Sequence, residues 1–273
     1  MVKTKERDIE LLKDNVVKKI FSGETETSRE LIATLIDETT NHRYKKEDIL
    51  KSMVMLPTNI AYNTNIIEGD ADTLLKTNDL YVSIEYNTGY YRELDVKNGS
   101  YICNLVLRQL KSKKDYKTIK PIIQINLDYY DLYKRNRFLY DSVLKERRLN
   151  IEKPNNFIEI FDINLASLRK LGYNEVDKGK YGYLKKLVYF LTNSNKEDLD
   201  KLYKEDKLMA KVLDDIIDVT SDLDRILFYK KEDLERQRDE REREEARAEG
   251  HAEGHAEGLA EGLAEGLAEG LAE

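Results

Sequence analysis

The segment Asp72-Thr-Leu-Leu-Lys-Thr-Asn-Asp-Leu-Tyr-Val-Ser-Ile-Glu-Tyr-Asn87 decides how the rest of this chain is read. Thr73 to Lys76 has the composition of a short strand, Asn78-Asp79 is a turn signal, and Leu80 to Asn87 alternates so that Val82, Ile84 and Tyr86 share one face. The reading is a β-hairpin, ended by Asn87-Thr88-Gly89. Downstream, Leu94, Val96, Tyr101, Ile102, Val106 and Leu110 recur at helical spacing and predict a long helix over 92–113 despite Gly99. Pro121-Ile-Ile-Gln-Ile-Asn-Leu127 then predicts a buried strand, and Asn156 to Leu165 a fourth. A strand, helix and strand in that order favour a right-handed crossover that returns the third strand to the sheet of the hairpin.

Helices flank this core in sequence. Leu11, Leu12, Val16, Val17, Ile20 and Phe21, then Leu31, Ile32, Leu35 and Ile36, predict two amphipathic helices between Asp8 and Thr39, broken at Ser22-Gly23. The stretch 44–60 begins as helix and is stopped by Pro57. Residues 166–229 read as helical throughout, with Asn193-Ser194-Asn195 as a turn, and the Tyr-rich stretch before Asn156 reads as a polar connection. The expected fold is α/β, with a body over 1–229 and a separate tail over 230–273.

Composition narrows the chemistry. The 273 residues include one cysteine, Cys103, and three histidines, His42, His251 and His255. An internal disulfide and Cys-based zinc patterns are excluded, and most Ser-His-Asp arrangements are implausible, so catalysis would rest on carboxylates. No apolar run reaches the ~18 residues of a membrane span, and the first residues lack an apolar signal core, so a cytoplasmic protein without membrane contact is expected. The net charge of −7 is unevenly distributed. Residues 230–273 hold 7 basic and 15 acidic side chains; taking these from the chain's 46 and 53 leaves 39 and 38, so the body carries +1. Within it, Arg108, Lys111, Lys113, Lys114, Lys117 and Lys120 face Asp115 alone, and Lys134, Arg135 and Arg137 follow. Such clusters can track phosphates or form a solvated face.

The tail is a repeat. Ala-Glu-Gly-His occurs twice from Ala248 and Ala-Glu-Gly-Leu from Ala256 onward, placing glycine at 250, 254, 258, 262, 266 and 270. As α-helix, each repeat advances about 400°, so the glycine and leucine rows drift by about 40° per step. Interior glycines cost roughly 1 kcal/mol each, which makes the isolated helix marginal. Either this is a coiled-coil-like helix for self-association, or it is a fluctuating product of a slipped gene repeat. His251 and His255 are too few for a zinc site.

Two acids give the hairpin its chemical interest. Asp72 opens one strand, Glu85 lies in the other, and Asn87 follows on the same face. Two carboxylates brought together repel unless they share a cation, and oxygen ligands suit a hard ion such as Mg2+, with Mn2+ as a substitute; the carbonyl of Tyr86 would be the third protein ligand. With Gly69-Asp-Ala-Asp72, Ile84-Glu-Tyr-Asn87, Tyr91-Arg92 and Pro121-Ile-Ile-Gln-Ile, the chain resembles the PD-(D/E)XK nuclease superfamily, and within it the recombination-promoting nuclease (Rpn), or transposase-like, family. The charged helix followed by Glu-Gly-x-Ala tetrads is similar to the ending of that family too.

The resemblance implies a restriction-endonuclease-like core with a central mixed sheet and a Mg2+-dependent hydrolase that cuts DNA, linked to recombination or mobile elements. It implies Asp72 and Glu85 as metal ligands, with Asp70 as a rival to Asp72, and it makes Glu30 a supporting acid and Arg92 and Tyr101 bracing or phosphate-contacting residues. Asn87 departs from the pattern. The superfamily has Lys there and this family usually Gln; an amide positions water but cannot deprotonate it. The competing expectation is therefore a degenerate DNA-binding protein, or an oligomeric interaction protein organised by its tail.

Overall fold

The computed structural model describes residues 20–61, 68–87, 89, 94–110, 116–154, 156–168, 171–176, 178–192 and 196–219, together with Arg247, Gly250, Gly254 and Gly258. The chain divides into two units, 1–220 and 221–273. The first is α/β. Among the described residues ten strands form, in chain order, β1 (Val54–Met55), β2 (Asn59–Ala61), β3 (Glu68–Asp70), β4 (Thr73–Lys76), β5 (Tyr81–Asn87), β6 (Ile122–Asp128), β7 (Leu139–Val143), β8 (Lys145–Glu146), β9 (Ile151–Glu152) and β10 (Ile158–Asn164). Six of them make one mixed sheet in the order β1-β4-β5-β6-β10-β7, while β2-β3 and β8-β9 are separate ribbons.

The hairpin forms as β4 and β5, antiparallel with Thr73 opposite Ile84. The Thr77 hydroxyl closes its turn by accepting the amides of Asp79 and Leu80 at 3.1 and 3.2 Å. The crossover helix, α3 (Leu94–Gln109), returns the chain to β6, which pairs parallel with β5, and β10 pairs parallel with β6. The centre of the sheet is thus three parallel strands, as hairpin plus crossover requires, with antiparallel edges added by β1, β4 and β7.

Two sequence expectations are corrected here. The helix begun at 44–60 ends early. It is α2 (Lys46–Ser52), after which Met53 turns extended and Val54–Met55 pairs with β4. Leu56 donates its amide to the Leu74 carbonyl at 2.8 Å, and Pro57, which has no amide to give, ends the strand. The open edge of β4 outcompetes helix propagation. The polar Tyr-rich stretch also contains strands. β7 has no apolar alternation to reveal it, because it lies at the sheet edge and takes its order from β10.

The remaining helices are α1 (Glu26–Thr39), α4 (Tyr173–Val176), α5 (Gly182–Thr192), α6 (Lys196–Glu205) and α7 (Lys207–Val219). Leu31, Ile32, Leu35 and Ile36 are fully buried, as their spacing predicts. Helix α1 packs against α2, α5 and α7. Its N-cap Thr25 accepts the Ser28 amide and donates its hydroxyl to Asp215 of α7 at 2.8 Å. The helix expected before Ser22-Gly23, and the turn at 193–195, lie outside the described residues. In the second unit the four described positions are helical, and outside its own helix backbone a Cβ on Gly250, Gly254 or Gly258 would meet no described residue within 4 Å. Among the described residues no helix is long and apolar enough to cross a membrane.

Candidate functional site

The three central strands present two different faces. Val82 and Ile84, Ile123, Ile125 and Leu127, and Phe161 and Ile163 form an apolar buried face. On the opposite face the register lines up Ser83 with Gln124, Glu85 with Asn126 and Asp162, and Asn87 with Asp128 and Asn164. All eight of these polar side chains are buried. Buried polar groups on this scale are costly unless they satisfy one another, and most of them do.

Asp72 sits at the bend just before β4, opposite Glu85. Its carboxylate accepts the Tyr86 amide at 2.8 Å, and its own amide donates to Glu85 Oε1 at 3.3 Å. Ser83 donates to the same oxygen at 3.2 Å. Glu85 Oε2 has no hydrogen-bond partner among the described residues, although Glu85 is fully buried. Among the described residues the cation paired with it is Lys97 of α3, with Nζ 3.6 Å away. Burial, then the charge of Asp72, pushes the Glu85 acid up to about 8, against the opposing pull of Lys97. The two acids expected to meet across the hairpin are thus linked through the Asp72 backbone amide and lie close enough for the Asp72 charge to act on Glu85. Tyr86 offers its amide to Asp72, while the Asn87 carbonyl accepts from Tyr129 on the β6 side. Strand alternation consequently points the Tyr86 carbonyl toward Asp72.

Asn87 is engaged elsewhere: it donates Nδ2 to Asp128 Oδ1 at 2.8 Å. Burial raises the Asp128 acid to about 7; the charges of Asp162 and Asp95 add to this, and bonds from Asn87 and Tyr130 offset it. One strand over, Asn126 donates to Asp162 at 2.7 Å and accepts from Gln124 at 2.9 Å and from Asn98 at 3.4 Å. These orientations fix one another. Asp162 can only accept when ionised, so Asn126 must turn its nitrogen toward it and its oxygen toward the two amides. The Gln124 and Asn98 oxygens are left without partners among the described residues.

The other expected residues distribute differently. Glu30 is gripped by Lys46 at 2.6 Å and Lys211 at 3.6 Å; burial alone would raise its acid, but the two lysines outweigh burial and lower it. Its described ion-pair partners are therefore helical lysines. Asp70 ends β3, with its backbone paired to Asn59, and its side chain lies outside the described residues, as does Arg92. Tyr101 is buried under Lys97, whose ammonium lies 5.6 Å from its ring centre. Among the described residues no group of three or more His, Cys, Asp and Glu side chains assembles as a metal site. The pair is two carboxylates with neutral oxygens around them.

Sequence reasoning missed Lys97, Asp128 and Asp162. For the two aspartates a signal existed: Gln124, Asn126 and Asp128, and Asp162 and Asn164, fall at every second position of otherwise apolar strands. Compared with protein-family models, curated proteins and solved structures, the chain matches none of them.

Proposed function

We propose that this protein is a Mg2+-dependent DNA endonuclease with a restriction-endonuclease-like core of the Rpn type. The observation that carries the reading is the convergence of Asp72 and Glu85 across the β4–β5 pair, with the Glu85 Oε2 atom buried and lacking a hydrogen bond among the described residues. A buried carboxylate oxygen with no hydrogen bond among the described residues and only an ammonium at 3.6 Å fits a cation. Asp72, Glu85 and the Tyr86 carbonyl would hold it. When bound, Mg2+ lowers the pKa of a water and neutralises charge on a scissile phosphate. The chain's own contribution is to pre-arrange the acids: the Tyr86 amide and the Ser83 hydroxyl orient one oxygen of each. Lys97 supplies, from the crossover helix, the positive side chain that position 87 lacks, and its ammonium lies beside Glu85 to orient a water or stabilise phosphate charge. The substrate reading also draws on the Lys/Arg-rich segments of the body, and the repeat tail is proposed as an oligomerisation helix.

Plasmid nicking in Mg2+ and in EDTA, by wild type and by Asp72→Ala, tests this. Metal-dependent nicking lost in the variant is the expected result; equal nicking by both, or none in Mg2+, overturns it. The observation favouring a second reading, DNA binding without hydrolysis, is that the Asn87 amide is committed to Asp128. That reading expects salt-sensitive gel shifts with no products. Deleting 248–273 and measuring particle mass by light scattering tests the tail, since an unchanged mass excludes tail-driven assembly.

A further inference from the structure

A cavity of about 670 Å³ opens beside the outer end of the polar face, within the size range of ligand sites. Four aromatic rings line it: Tyr133, Phe138, Tyr140 and Tyr181. Three cations join them: Arg137, Lys180 and Lys185. None of the three has an ion-pair partner among the described residues. The single acid in the wall, Asp141, is raised by burial and by the charge of Glu159, with Arg43 as the largest opposing charge. The lining therefore carries excess positive charge among exposed π surfaces.

The rings are held in place. The Tyr140 hydroxyl donates to Asp131 at 2.7 Å, and Tyr133 bonds Ser142 and Asp162 at 3.2 and 3.3 Å; the two rings lie 4.5 Å apart, tilted by 47°. Phe138 and Tyr181 form a second tilted pair at 6.3 Å. Tyr181 keeps φ at +63°, a costly conformation for a bulky residue, with its ring at the cavity. Lysine already sits over these aromatics: Lys180 over Tyr181 at 4.6 Å and Lys185 over Phe138 at 5.9 Å. Fixed rings with cations above them stack flat, electron-poor heterocycles and hold an attached phosphate.

We infer that this cavity binds one unstacked nucleotide of a single-stranded nucleic-acid segment, the base against the tyrosines and the phosphate on Arg137, Lys180 and Lys185. This deepens the nuclease reading, on which the choice of a strand as occupant rests. Tyr133 of the cavity wall bonds Asp162, which accepts from Asn126, the β6 residue paired in register with Glu85. Asp162 lies two strands from Glu85, roughly 10 Å, about three stacked nucleotides. The face between them is buried under α3, so a strand reaches the cavity from its solvent side, at Tyr133 and Arg137, and duplex DNA, whose bases are already stacked, does not enter it.

Fluorescence anisotropy in EDTA, with a labelled dT12 strand, a blunt 12-bp duplex and dTMP as competitor, separates this from cleavage. Expected are tighter binding of the strand than of the duplex and a loss of at least tenfold in the triple variant Arg137→Ala, Lys180→Ala, Lys185→Ala. The logarithmic salt slope for the single strand should fall by about 2. Circular dichroism checks the fold, and Lys180→Glu, at an exposed position, is the fallback if the triple variant is unfolded. Photocrosslinking of an iodouracil-bearing strand should map to the four rings. Unchanged strand affinity in the folded variant overturns the inference, as do crosslinks elsewhere; dTMP competing as well as dT12 overturns the assignment to a strand. If wild type never nicks DNA yet the triple variant loses strand binding, the nuclease reading fails alone. If nicking is normal and strand binding survives in the variant, the cavity assignment fails alone.

Discussion

Helix α3 covers one face of the sheet, and the two ends of that face are built from opposite materials. Toward its C-terminal half, Tyr101, Ile102 and Leu105 close on Leu74 and Ile122, a cluster without a charged member. Toward its N-terminal half, Lys97 and Asn98 reach Glu85 and Asn126. Both ends are buried, but only the first lowers the free energy of folding by removing apolar surface from water. The second buries carboxylates whose acids are pushed upward, Glu85 and Asp128 among them, which is a thermodynamic cost. The same helix thus holds the fold at one end and, at the other, a set of groups that folding alone would have replaced with leucine.

Substitutions can break this division. The largest effect is expected from Glu85→Gln, which should reduce metal-dependent nicking about 10³-fold or more while leaving the urea midpoint in EDTA at neutral pH about equal, since burial already holds the Glu85 acid largely protonated there. A rate within threefold of wild type would end the idea that Glu85 serves chemistry. Leu105→Ala should do the reverse. A loss of about 2–5 kcal/mol in chemical denaturation is expected from a fully buried leucine, with nicking per folded molecule preserved. A cost below 1 kcal/mol would show that the apolar end is not the anchor.

Lys97→Ala sharpens the boundary between the two ends. If the lysine assists the reaction, nicking falls roughly 10²-fold; if it merely fills the place of a metal ion, nicking rises and less Mg2+ is needed. The first result is expected, because Lys97 is a third exposed and stands at 3.6 Å, outside hydrogen-bonding range. The smallest effect concerns pH. Asp128 has a raised folded-state acid near 7 against about 3.9 when unfolded, so its contribution to stability is present at low pH and is lost as pH rises from about 4 to 7. In EDTA, Asp128→Asn should flatten that decline, by on the order of 1–3 kcal/mol between pH 5 and 8. Parallel wild-type and variant stability curves across that range would exclude Asp128 as the source.

Much of this was written in local pattern. The period-two run from Leu80 to Asn87, the turn at Asn78-Asp79 and the apolar run from Ile122 give the hairpin, the crossover and the parallel pair, and the side-by-side placement of Asp72 and Glu85 follows from hairpin register. What could not be read is set by partners distant in sequence. β1 and β7 exist because edges of the sheet are open to them, not because Val54–Met55 or Leu139–Val143 favour extension in isolation. Lys97 was one more polar residue on a helix until the rotation of α3 on the sheet turned it toward Glu85. The commitment of Asn87 to Asp128 needed the pairing of strands 41 residues apart.

The tie between Thr25 and Asp215 spans 190 residues. During synthesis at 5–20 residues per second, α1 leaves the ribosome with its apolar stripe complete and then waits roughly 10–40 s for α7 to be made. Throughout that interval the Leu31-Ile32-Leu35-Ile36 surface has, of the helices that pack on α1, only α2 and then α5 to cover it, so the last helix made is the one that completes its shelter.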